Sequence, residues 1–212
     1  MPVPTSDVHI ANLALDRLGI APVTNIVTPS NTTEDIVARH YIPTRRELLR
    51  KYIFNFAKKY AVLTEDSTKT PAFGFSTAFA LPNDFIRLCA LGDVTINGDV
   101  PPNLYDLSEG YIFTDSAEAG DLNIQYVFDA TTVAKYDPLF IQLFKLQLAA
   151  NMAYKFTLKP SLIQGIIEEL RDVAAAAAAI AGQEKPPRRL SRSKWATARQ
   201  RGNSSLRDNR FI

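Results

Sequence analysis

The run Leu122-Asn123-Ile124-Gln125-Tyr126-Val127-Phe128 is followed nine residues on by Asp137-Pro138-Leu139-Phe140-Ile141-Gln142-Leu143-Phe144-Lys145-Leu146, and the change of pattern between them decides the fold. In the first run Leu122, Ile124, Tyr126 and Phe128 recur at period two, the signature of a half-buried strand. In the second, Leu139, Phe140, Leu143, Phe144, Leu146, Leu148, Ala149, Ala150, Met152 and Ala153 make the segment apolar on most sides. A helix of that kind, over 138–157, belongs in the middle of a core. Asp137-Pro138 suits its start, a capping residue followed by proline at the first helical position.

Working outward toward the N-terminus, residues 64–131 keep the period of two. Phe73, Phe75, Phe79 and Leu81 alternate with small residues, with Thr77 in the one polar slot of the large face. Asn97-Gly98, flanked by Val94, Ile96 and Val100, is a hairpin signal because both turn residues tolerate positive φ. Tyr111-Ile112-Phe113-Thr114 is another strand, and Asp115 to Asp121, with Gly120, is expected to join it to 122–128 as a hairpin. Together these predict an antiparallel β unit of four to six strands.

Two helices precede it. Residues 6–19 have Ser6 as N-cap, Ile10, Leu13, Ala14 and Leu18 at helical spacing, and Gly19 as the stop. Residues 32–61 follow Asn31-Thr32-Thr33-Glu34, which has capping-box spacing. Leu49, Ile53, Phe56 and Tyr60 form a stripe, and Pro43 predicts a kink or break near Tyr41-Ile42. A fourth helix, 162–182, is capped by Ser161, carries Leu162, Ile166, Leu170, Val173, Ala177 and Ile180, and ends at Gly182. Its alanine run, Ala174 to Ala179, lets other helices approach closely. The expected fold is α+β and mainly α: a four-helix bundle from 1–63 and 132–182, a small antiparallel β domain inserted at 64–131, and an extended basic C-terminal tail, 183–212.

The 212 residues carry a net charge of +2, which hides an asymmetry. Residues 183–212 hold nine basic and two acidic side chains, so the remainder is net −5. A single cysteine, Cys89, excludes a disulfide framework and a cysteine zinc finger. The N-terminus has neither a basic start nor an apolar stretch, so no secretory signal is expected. The longest apolar run, Val173 to Ala181, falls well short of the roughly 20 residues of a membrane span. A soluble chain made in a cytoplasm, without a membrane partner, is expected.

Residues able to do chemistry are few. His9 and His40 lack metal-ligand spacing and read as structural. Cys89, between Leu88 and Ala90, reads as a buried thiol. Glu168, Glu169 and Asp172 read as a solvated helix face. No phosphate loop, nucleophile elbow or kinase signature occurs. No catalytic residue, metal site or cofactor is expected. The binding candidates are basic. Six cations against one acid lie between 45 and 59, and Arg45, Arg46, Arg50 and Lys51 form a candidate face for a neighbouring subunit or another partner. Arg46 and Arg50, four apart, share one side of the helix. The tail combines Arg188, Arg189, Arg192, Lys194, Arg199, Arg201, Arg207 and Arg210 with the apolar Trp195, Leu206, Phe211 and Ile212. Spaced apolar anchors suit docking on a protein surface, whereas a nucleic-acid arm relies mainly on cations. A nucleic-acid-binding module built on the basic helix and arm is the alternative reading.

Five separated segments carry a resemblance. They are Ile10-Ala11-Asn12-Leu13-Ala14-Leu15-Asp16-Arg17-Leu18-Gly19 with Tyr41-Ile42-Pro43-Thr44-Arg45-Arg46-Glu47-Leu48-Leu49-Arg50; Phe79-Ala80-Leu81-Pro82-Asn83-Asp84-Phe85-Ile86-Arg87-Leu88; Tyr126-Val127-Phe128-Asp129; and Tyr136-Asp137-Pro138-Leu139-Phe140. In this order, over about residues 6–180, the chain resembles the tail tubular protein A family, the head–tail adaptors of short-tailed phages. The resemblance implies a helical bundle with an inserted β domain. It also implies a virion protein that is not an enzyme and assembles as a homo-oligomeric ring, expected to be dodecameric. Such a ring lies between the portal protein and the tail nozzle, which is of the tail tubular protein B kind. It surrounds the DNA exit channel, through which genomic DNA passes without specific binding, and helps seat tail fibres. The basic tail is then expected to dock on the portal.

Overall fold

Residues 4–69, 71, 74–92, 94–96, 104–115, 120–156 and 159–183 are described by the computed structural model. Helix α1 (Asp7–Leu18) starts where Ser6 Oγ accepts from the His9 N–H and stops at Gly19, whose φ of +69° is left-handed. The Gly19 N–H donates to the Asp16 carbonyl and the Ile20 N–H to Leu15, closing the last turn. Helix α2 (Thr32–Lys51) is capped by Asn31, whose side chain accepts from the Glu34 N–H at 2.9 Å. Glu34 is 1 % exposed and reaches past the cap. One carboxylate oxygen takes the Ser30 N–H and hydroxyl, both at 2.8 Å. The other takes Thr24 N–H and Oγ1 and the Asn25 N–H at 3.1–3.2 Å. Hydrogen bonds from Ser30 above all, then from Thr24 and Asn25, hold its carboxyl down at about 2 despite its burial. This side chain ties the loop between the two helices to the start of α2.

Helix α3 (Pro138–Phe156) begins with the Leu139 N–H on Asp137 Oδ1 at 2.8 Å. It is the centre of the helical layer, flanked closely by α1 and α2. Phe140, Leu143, Phe144, Leu146, Leu148, Ala149, Met152 and Ala153 are fully buried, as their pattern requires. Phe140 stands in an aromatic cluster, its ring centroid 4.9–5.7 Å from those of Phe54, Phe56, Tyr136 and Phe144. Helix α4 (Pro160–Gln183) begins earlier than Ser161 predicts and runs through Gly182. It adds Ile163, Ile166 and Ala177 to the same core, and Arg17 of α1 pairs with its Glu169.

Two antiparallel sheets complete the described residues. One has the order β1 (Lys58–Thr64), β7 (Asp121–Phe128), β3 (Phe85–Leu91), β4 (Val94–Thr95). The other has the order β2 (Thr77–Ala80), β6 (Tyr111–Thr114), β5 (Asp106–Ser108). A single bridge between Glu65 and Phe79 leads from β1 toward the second sheet. The strands enclose a core of their own, from Leu63, Phe79, Leu88, Leu91, Ile112, Leu122, Ile124 and Tyr126. The opposite side of the first sheet meets the helices through Ile86, Cys89 and Val127. The described residues up to Ala181 form one compact unit.

The expected four-helix bundle with a small inserted β domain is therefore wrong. The helices form a layer of three around α3, with α4 less closely approached along its backbone. The β portion is two sheets with a separate core rather than a small insertion, and it starts inside the segment read as the second helix. Helix α2 ends at Tyr52, where the backbone turns extended, instead of continuing to 61. All of Tyr52–Phe56 except Asn55 are aromatic or β-branched, and they turn Phe54 and Phe56 into the cluster around Phe140, while Lys58–Thr64 pairs along β7. Pro43 lies within α2 without ending it. Residues 111–114 and 122–128 are not a hairpin, since they belong to different sheets. Phe73, Asn97-Gly98 and the whole tail from Arg188 to Ile212 lie outside the described residues.

Candidate functional site

Side chains from separated stretches of the sequence converge on one seam, where the helical layer meets the first sheet. Arg45, on α2, is 7 % exposed along its side chain and points Nε and Nη2 at Asp129 Oδ1, both at 3.0 Å. Arg46 Nε stands 3.7 Å from the other oxygen, Oδ2. Burial works against the charge on Arg45, but the Asp129 carboxylate outweighs it and the guanidinium titrates above its usual range. The Asp129 N–H in turn donates to the Asp84 carbonyl at 2.8 Å.

Asp84 continues the seam. Its carboxylate takes Lys59 Nζ at 2.5 Å and the Tyr126 hydroxyl at 2.9 Å. Burial pushes this carboxyl up, and Lys59 and Tyr126 more than offset it, leaving it below the usual carboxylate range. The Tyr126 hydroxyl is pushed up to about 12, by burial first and then by Asp84. Arg50 Nη1 donates to the Ile86 carbonyl at 3.0 Å, and Arg87 Nη1 donates to the Arg50 carbonyl at 3.2 Å. Tyr136, its hydroxyl pushed up to about 12 mainly by burial, donates to the Ala130 carbonyl at 2.8 Å. On the far side of α2, Asn151 Nδ2 donates to the buried Thr44 at 2.9 Å, fixing α3. Side chains from α2, β1, β3, β7 and the segment after β7 thus close one polar joint between two apolar cores.

The basic residues singled out in the helix are divided by this geometry. Arg45 is an interior residue of the joint, and Arg50 is tied to a backbone carbonyl of β3. Arg46 remains half open to solvent. Lys51 is exposed, its Nζ 5.4 Å from the centre of the Tyr52 ring. His9 lies in α1 and His40 in α2, while Cys89 is buried in β3. Among the described residues no group of three His, Cys, Asp or Glu side chains is placed to hold a metal ion. No described helix is long and apolar enough to cross a membrane. The docking-tail candidates Arg188, Arg189, Arg192, Lys194, Trp195, Arg199, Arg201, Leu206, Arg207, Arg210, Phe211 and Ile212 lie outside the described residues.

Sequence reasoning missed Asp129, Asp84, Lys59 and Tyr126 as members of one cluster. A signal existed for Asp129. It sits between Phe128 and Ala130 at the end of a strand entering the core, where a carboxylate needs a cation.

A second surface is apolar and open. Tyr60 and Val62 of β1 are 81 % and 63 % exposed, on the face of the strand opposite Ala61 and Leu63. No protein-family model matches this chain, and no curated protein matches it.

Proposed function

We propose that this protein is a structural head–tail adaptor of a phage virion. In this reading it forms a ring, dodecameric by expectation, that joins the portal protein to the tail nozzle around the DNA exit channel. The observation that supports it best is the seam. The resemblance rests on segments far apart in sequence, and Arg45, Arg50, Asp84, Ile86, Arg87, Tyr126 and Asp129 from those segments meet there. A joint that locks two cores into one block suits a protein transmitting load between larger rings. Of the two helix cations that the nucleic-acid reading uses, Arg50 donates to the Ile86 carbonyl inside the chain, which weighs against that reading, while Arg46 stays 56 % exposed.

In the proposed assembly the segment 184–212, with its cations, Trp195 and Phe211, supplies the portal contact. Many modest contacts around a ring add to a lasting attachment. The test is reconstitution with the cognate portal, read by light scattering and electron microscopy. A ring seated on the portal supports the proposal. Salt-sensitive binding of the isolated chain to DNA at physiological ionic strength, with no portal complex, replaces it by the alternative.

A further inference from the structure

Two helices each leave a charged side open to solvent. On α2, Ile42, Pro43, Arg46, Glu47 and Arg50 are exposed and recur at the spacing of one helix face. With Phe85 at the start of β3 this face bounds an open groove of about 360 Å³. On α4, Gln164, Gly165, Glu168, Arg171, Asp172 and Ala175 are exposed, while Ile163, Ile166 and Ala177 on the other side enter the helical core.

The charged groups on both faces keep donors and acceptors to spare. Among the described residues no hydrogen bond or ion pair engages Glu47, Arg171 or Asp172. Glu168 takes a long contact, 3.4 Å, from Gln164 Nε2. Arg46 is 56 % exposed and turns Nε toward Asp129 at 3.7 Å, which leaves both Nη groups. Arg50 gives Nη1 to the Ile86 carbonyl and keeps Nε and Nη2. The two faces are complementary in sign and spacing. Arg46 and Arg50 stand four apart with Glu47 to one side, and Glu168 and Asp172 stand four apart with Arg171 to one side. At about 100° per residue, Glu47 lies about 80° to one side of the Arg46–Arg50 line, and Arg171 about 80° to the other side of the Glu168–Asp172 line. Parallel helices that face each other bring those two flanks together, whereas antiparallel helices keep them apart.

We propose that α4 of one copy lies parallel to α2 of a second copy, in the groove beside Phe85, with Arg46 level with Glu168 and Arg50 level with Asp172. In that register Glu47 meets Arg171 on the shared flank. Ile42, 52 % exposed in the single chain, comes against Gly165, which has no side chain and no neighbour within 4 Å of where one would begin. Each ion pair alone is weak at a surface, and their joint pattern sets partner and register more than affinity. Burying Ile42 adds the apolar contact. The two faces belong to different helices, so the contact is heterologous. Each copy keeps one unused face at either end, and repetition closes a ring or grows a filament. The inference rests on the adaptor reading in one respect, the repetition around an axis which that reading requires.

The test uses the full chain in two variants, Glu47→Lys and Arg171→Glu, by sedimentation at low and high salt. Both positions are exposed, so thermal unfolding of each variant serves as the check that the fold is intact. Each variant alone is expected to self-associate at least about tenfold more weakly than the native chain, since like charges then meet on the shared flank. An equimolar mixture is expected to recover the native association, because Lys at 47 of one copy meets Glu at 171 of the other and the native pair forms at the next contact. An Ile42→Cys copy and a Gly165→Cys copy are expected to form a disulfide-linked pair with each other. Reversals that leave association unchanged, a mixture without rescue, or a native chain that stays monomeric at every concentration and ionic strength overturn the inference. A portal-seated ring that ignores both reversals overturns it and leaves the adaptor reading standing. Association that the reversals weaken and the mixture restores, in a chain that never joins a portal, supports it and removes the adaptor reading.

Discussion

Replacing Asp129 by alanine tests the seam. The substitution leaves Arg45, 7 % exposed along its side chain, without the carboxylate that both its Nε and Nη2 address at 3.0 Å. Removing one partner of a buried pair costs about 3–5 kcal/mol, because the remaining charge stays uncompensated. Asp129 itself retains 20 % exposure, so water reaches part of the site and the lower end, about 3 kcal/mol, is expected. At roughly 2–4 °C per kcal/mol for a chain of this size, the midpoint of thermal unfolding falls by about 6–12 °C. Arg46→Ala is the control. Its guanidinium is 56 % exposed and 3.7 Å from the carboxylate, and its loss is expected to cost less than about 0.5 kcal/mol. Combining Asp129→Ala with Arg45→Met removes the stranded charge and fills its volume, so the double variant is expected to recover most of the loss. Urea unfolding of the four proteins measures this. A cost below about 1 kcal/mol for Asp129→Ala, or a double variant no better than the single one, refutes the view that the pair holds the seam.

Three further perturbations probe the unit elsewhere. Glu34→Gln lowers stability at neutral pH, and the sign of the pH effect follows from a carboxyl held at about 2 instead of its ordinary 4.5. The native advantage is complete above the unfolded value and fades as pH falls from about 4.5 toward 2, so melting curves of the two proteins should converge across that window. Phe140→Ala removes the ring shared by Phe54, Phe56, Tyr136 and Phe144, with an expected loss of about 3–5 kcal/mol in urea unfolding. Gly19→Ala puts a Cβ at φ +69° and is expected to cost about 1–2 kcal/mol, although the space around it is open. A thermal shift within error at this position would show that the left-handed cap carries no strain.

Local signals were legible where one short stretch held all the information. Ser6 and Gly19 bracket α1 within a residue, and Asp137-Pro138 begins α3. Alternation located β6 and β7. What failed was decided by distant residues. Leu49, Ile53, Phe56 and Tyr60 happen to fall at helical spacing, yet pairing of Lys58–Thr64 with Asp121–Val127 outweighs any helical preference of a segment rich in aromatics. The two-sheet arrangement was invisible for the same reason, since neighbours in sequence such as β6 and β7 part company in space. At the seam, the cationic run in α2 was conspicuous, but its role was not. Arg45 is distinguished from Arg46 by its burial and its two 3.0 Å contacts to Asp129, which lies 84 residues further on. The +2 net charge conceals a third division besides body and tail, the concentration of acids in the β portion.

The most direct measurement for the adaptor proposal is the mass and image of the full chain mixed with its portal. A closed ring seated coaxially on the portal, lost when residues 184–212 are removed, is the predicted result. Portal and protein that sediment independently, or a complex that forms equally well without those residues, would contradict it.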